Sequence, residues 1–77
     1  MKNNLTLHQF LEGMSKRICI YPKDIQRITG KSERYGRVLI HKIKEHFQKE
    51  KSQFVTIREF SKYTGISEEE VLKFISD

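Results

Sequence analysis

Five polar side chains recur at helical spacing in the middle of this 77-residue chain: Arg34, Arg37, His41, Lys44 and Gln48. At about 100° per residue they fall within roughly 80° of arc on one helix face. A face of this kind offers hydrogen-bond donors and positive charge to an anionic partner. Other groupings that could do chemistry lead nowhere. Gly30-Lys31-Ser32 has the ending of a phosphate-binding P-loop, but that motif requires glycine where Ile25 stands. His41 and His46 are five apart, whereas helical metal-ligand pairs are usually four apart. Cys19 is the single cysteine, so no internal disulfide can form, and a small buried apolar role is expected for it. No Ser/His/Asp or Cys/His set has supporting context, and paired carboxylates occur only as helix caps. The chain reads as no enzyme, with no cofactor and no metal.

Net charge is +5 and unevenly placed. Residues 1–52 carry twelve Lys and Arg against five Asp and Glu; residues 53–77 carry three against five. Basic charge gathered in one part of a chain points to a polyanion. Apolar residues make up 36% and charged residues 32%, which limits the core to that of one small domain and favours packing against a partner or a second copy. No apolar run approaches the ~18 residues of a membrane span, and the N-terminus has no apolar signal core. A cytoplasmic chain with no membrane contact is expected.

The elements that must hold the basic face follow from periodicity and caps. "LTLHQFLEGM" carries Leu7, Phe10, Leu11 and Met14 on one stripe, with Thr6 as cap, Gln9 as its capping-box partner and Gly13 as its end. "RICIY" is short and β-prone. Pro22 then opens a helix running to Thr29 that buries Ile25 and Ile28 and stops at Gly30. Ser32 caps a long helix to about Lys49, with Gly36, Ile40, Ile43 and Phe47 as its inner stripe and Leu39 widening it. "QFVT" is β-prone again, Thr56 caps "IREFSKYT", Gly65 stops it, and Ser67 with Glu70 forms a capping box for a last helix reaching about residue 76.

A shift of 35 residues lays the second half on the first. Thr29/Thr64, Gly30/Gly65, Ser32/Ser67, Glu33/Glu68 and Ile40/Ile75 are identical; Ile20/Val55, Lys23/Arg58, Asp24/Glu59 and Arg27/Lys62 are similar. The repeated unit is strand, short helix, glycine turn, helix. The two strand pieces are expected to pair as a small ribbon.

A short helix, a glycine turn and a second helix opening on serine resembles the helix-turn-helix superfamily, of the kind found in small bacterial transcription regulators and excisionases. The resemblance covers Pro22–Ile43 and again Ile57–Ile75. The second unit matches through Phe60, Ser61, Gly65, Ile66, Val71 and Phe74, and departs at Thr64. In the first, Ile25, Gly30 and Leu39 agree, while Gln26, Lys31 and Gly36 depart; Gly36 could let its two helices approach closely. The resemblance implies a mainly α single domain with two tandem units, at about residues 22–49 and 56–76.

It also implies duplex DNA as partner, read through a recognition helix at about 32–49. Arginine in a major groove can take O6 and N7 of guanine with two hydrogen bonds. Arg34 and Arg37 lie in the first turns, where such helices read bases, with His41 and Lys44 further along the same face. Tyr35 can stack or touch phosphate. Lys23, Arg27 and Lys31, with Lys16, Arg17 and Lys42, can hold the backbone, and the N–H groups after Ser32 can receive a phosphate. Glu68–Glu70 open the last helix and would repel phosphate, so the second unit is expected to brace the fold or meet a protein. The expected role is a small transcription regulator or architectural accessory factor. With one recognition helix, tight site selection calls for a homodimer or several copies. The competing reading is a protein-interaction module whose basic face docks an acidic partner without nucleic acid. RNA is a weaker third, because the aromatics form no stacking platform.

Overall fold

The computed structural model describes residues 18–75. Its helices are α1 (Pro22–Thr29), α2 (Glu33–His46), α3 (Ile57–Thr64) and α4 (Glu68–Leu72). The architecture is mainly helical and built as two helix pairs, α1 with α2 and α3 with α4. The N-terminal helix expected around Leu7–Met14 lies outside the described residues, as do Lys16 and Arg17. No helix among the described residues is long and apolar enough to cross a membrane.

The starts and stops are local chemistry used twice. Pro22 stands first in α1, where a missing N–H costs nothing. The Asp24 carboxylate, 2% exposed, accepts the Tyr21 N–H at 2.8 Å. In the second unit Glu59 accepts the Thr56 N–H at 3.0 Å, while Thr56 Oγ1 accepts the Glu59 N–H at 3.0 Å. Both short helices end on a left-handed glycine, Gly30 at φ 76° and Gly65 at φ 84°. One residue before each glycine, a threonine hydroxyl donates back four residues, Thr29 to the Ile25 carbonyl and Thr64 to the Phe60 carbonyl. The same oxygens accept the N–H groups of Lys31 and Ile66. Thr64, a departure from the apolar pattern of the superfamily, is therefore a satisfied polar turn residue, and so is its counterpart.

Two expected helices are shorter than their apolar patterns suggest. α2 stops at His46: Phe47 caps it, Gln48 turns left-handed at φ 56°, and the Lys49 and Gln48 N–H groups donate to the Lys44 and Glu45 carbonyls. This is a Schellman closure with glutamine where glycine is usual. Gln48 thus leaves the α2 face instead of extending it. α4 ends at Leu72 and continues as a turn through Phe74. Its expected capping box is half formed. Ser67 Oγ accepts the Glu70 N–H at 3.1 Å, but the Glu70 carboxylate pairs with Lys73 at 3.1 Å.

The ribbon reduces to one antiparallel bridge, Cys19 with Thr56. The Ile20 N–H donates to the Val55 carbonyl at 3.0 Å, and the Ile57 N–H to the Ile18 carbonyl at 2.7 Å. Ile20 and Val55, equivalent by the 35-residue shift, lie opposite each other in this register. By the same shift the counterpart of the Ile57–Ile18 bond would run from residue 22 to the Gln53 carbonyl, and Pro22 has no hydrogen to donate. Cys19 is half-buried rather than buried.

Ile20, Ile25, Ile43, Val55, Ile57, Phe60 and Val71 form the buried core, and Ile28, Leu39, Ile40, Phe47, Ile66, Leu72 and Ile75 pack around it. Ile28 is half-buried, and Phe74 is 44% exposed despite its apolar position in the pattern. Gly36 is buried where α2 crosses the start of α1; a Cβ there would lie 2.7 Å from the Pro22 carbonyl oxygen and 3.0 Å from its Cα. Because backbone cannot yield as a side-chain end can, Gly36→Ala is expected to lower unfolding free energy by about 1–3 kcal/mol in urea denaturation. An unchanged midpoint would mean that the two helices do not touch at this point.

Candidate nucleic-acid interface

α2 positions the face read from the sequence. Its inner side is committed to the core through Gly36, Ile43 and the partly buried Leu39, Ile40 and Phe47. Helical geometry turns Arg34 and His41 to nearly the opposite side, with Arg37 and Lys44 at one flank. Arg34, Arg37 and His41 are exposed, and Lys44 is half-buried.

Ser32 caps this helix, its Oγ accepting the Tyr35 N–H at 3.1 Å. The approach to it is basic: Lys31 is exposed, and its Nζ lies 5.3 Å from the centre of the Tyr35 ring. Tyr35 is thereby partly engaged by a cation of its own chain. On α1, Lys23 and Arg27 are exposed and one turn apart.

Part of the positive charge has internal partners. Arg37 Nη1 lies 3.5 Å from Glu33, and His41 Nε2 lies 3.5 Å from Glu45. Lys44 Nζ donates to the Lys51 carbonyl at 2.8 Å. Among the described residues Arg34 makes no ion pair. The Arg37 and His41 contacts are exposed and i,i+4. The Arg37 pair is worth about 0.3–0.5 kcal/mol and the His41 contact is an ion pair only with the imidazole protonated, so an incoming anion can displace both at little cost. Lys44 does a different job: it ties α2 to the loop after it. His46, which has no place in this face, sits edge-on to Phe47 and Tyr63 with ring centres 4.8 and 5.1 Å away.

Beside the face lies a feature missed in the sequence. An open groove of about 230 Å³ runs between α2 and the bridge, lined by Arg37, Ile40 and Lys44 on one side and Tyr21 and Phe54 on the other. The bridge register sets Tyr21 across from Phe54. That juxtaposition was available once antiparallel pairing was centred on the equivalent residues Ile20 and Val55, but neither aromatic belongs to a helical stripe.

The second unit presents the opposite charge at the matching place. Glu68, Glu69 and Glu70 fill the first turn of α4 and are exposed. Comparison with protein-family models, curated proteins and solved structures finds no match to this chain.

One ion pair ties the chain just after α2 to the second unit. Lys49 Nζ, three residues past α2, donates to Glu59 Oε2 at 2.8 Å on α3, and both side chains are mostly buried. Burial raises the Glu59 carboxyl, but the hydrogen bond and charge of Lys49, together with the Thr56 donors, outweigh it and hold the group below the ordinary glutamate value. A depressed folded value stabilises above the unfolded one, about 4.3, and that stability is lost as pH falls through the folded value. Glu59→Gln is therefore expected to cost about 1–2 kcal/mol at pH 7. Its deficit against the parent should shrink as urea melts are taken from pH 5 to about pH 3. A deficit independent of pH would show that the carboxylate charge contributes nothing.

Proposed function

We propose that this chain is a non-enzymatic DNA-binding protein that lays the outer face of α2 in the major groove. In this reading Arg34 and Arg37 address base edges or phosphates. His41 extends the contact, while Lys23, Arg27, Lys31, Tyr35, Lys44 and the capped helix start at Ser32 hold the backbone. The observation that carries the proposal is the exposed row of Arg34 and His41 opposite the core stripe, with exposed Arg37 at its flank, on a two-helix unit with a glycine turn. The likeness to helix-turn-helix regulators belongs to the same proposal, as does the role of small transcription regulator or architectural accessory. α3 and α4 serve as the brace that fixes α2, and the glutamates of α4 keep that unit away from phosphate.

The salt dependence of binding gives the test. With about five phosphates engaged, log affinity for a random duplex should fall against log salt with a slope near −4.5 in fluorescence anisotropy. Arg34→Ala with Arg37→Ala should weaken binding by about 10-fold or more and flatten the slope to roughly −2.7. Glu33→Gln with Glu45→Gln removes the competing carboxylates and should tighten binding several-fold. No affinity for random duplex at low salt, or full affinity in the double arginine variant, would refute the assignment.

A further inference from the structure

Two exposed apolar sites stand out among the described residues, the first of which shares Arg37 and Lys44 with the basic face. One is the groove between α2 and the bridge, where Phe54 is 64% and Tyr21 43% exposed, with Arg37 and Lys44 among its lining residues. The other is the end of the chain's second unit, where Phe74 stands 44% exposed one turn after Glu70. The first combines aromatic surface with two cations; the second sets an aromatic ring one turn after Glu70, whose carboxylate lies 3.1 Å from Lys73 Nζ, behind a helix start that carries Glu68 and Glu69 as well. The helix start is acidic where the groove is basic. Val71 is buried in the core and Leu72 packs against it, which holds α4 in place.

We propose that the chain associates head to tail with further copies of itself, Phe74 of one copy entering the groove beside Phe54 of the next. Glu70, exchanging its exposed pair with Lys73, would then approach Arg37 and Lys44. The charge division along the sequence, basic in the first unit and acidic at the start of α4, orients the copies alike. A contact between two different patches does not close on itself as a two-fold dimer does, so it generates open chains whose length grows with concentration. A groove of about 230 Å³ has room for one aromatic side chain, which makes each contact small and dependent on its charged rim. The association does not depend on DNA, and DNA binding can fail while it stands.

Sedimentation velocity on the full chain, from about 10 μM to about 1 mM, tests it. The parent should show a weight-average sedimentation coefficient that rises with concentration near 0.02 M salt, and a largely monomeric boundary near 0.5 M, where exposed charges are screened beyond about 4–5 Å. Phe54→Asp and Phe74→Asp each spoil one patch, so each alone should stay monomeric. Mixed in equal amounts they retain one groove and one Phe74 between them and should form a dimer and nothing larger. Because a Phe54→Asp chain could fail for lack of folding, Arg37→Glu with Lys44→Glu provides a second groove variant, expected to behave in the same way. A parent that is monomeric at all concentrations would overturn the proposal. So would single variants that associate like the parent, or a mixture with no dimer. A monomeric parent whose groove captures a synthetic peptide of glutamates around one phenylalanine would assign the groove to another acidic protein instead.

Discussion

Two backbone hydrogen bonds around Ile20 and Val55 are the junction on which this fold depends. Each helix pair is too small to bury its own apolar stripe, and the stripes face each other only because the strand pieces meet at this register. A slip by one residue would turn one strand's inward side chains outward, Ile20 giving way to Tyr21, or Val55 and Ile57 to Phe54. The junction also explains why the aromatic groove lies where it does. Residues on the inner side of the bridge feed the core, and those on the outer side, Tyr21 and Phe54, are left beside α2.

From that junction the same turn is built twice. The paired threonines, glycines and cap serines make matching hydrogen bonds, and Asp24 and Glu59 play the same role at the helix starts. Only the groups outside these bonds diverge. After Ser32 the helix bears Arg34 and Arg37 and continues for fourteen residues; after Ser67 it bears glutamates and stops after five. The repeated bonds serve folding, and the residues free of them carry opposite charge. In the proposed reading one copy thereby meets an anion and the other does not.

Much of this was legible because it is local. Caps at Ser32, Thr56 and Ser67, stops at Gly30 and Gly65, the inner stripe of α2 and the tight crossing at Gly36 all follow from residue type and spacing. What was not legible depends on tertiary context. Gln48 adopts a left-handed turn without glycine or proline to announce it, so the helix ends three residues before the expected Lys49. Glu70 had Lys73 within reach and left its capping box half made. Of the expected row, Arg34, Arg37, His41 and Lys44 stand on α2 while Gln48 leaves it, and the internal partners Glu33, Glu45 and the Lys51 carbonyl depend on side-chain reach that spacing alone does not give. They leave Arg34 as its least encumbered member.

The central claim is that the outward side of α2, and no other surface, meets duplex DNA. An amide-resolved NMR titration of the full chain with a short random duplex at low salt tests it most directly. The account predicts shifts concentrated at Arg34, Arg37 and His41 and around Ser32. Shifts confined to Glu68–Phe74, or none at any ratio of duplex to protein, would contradict it.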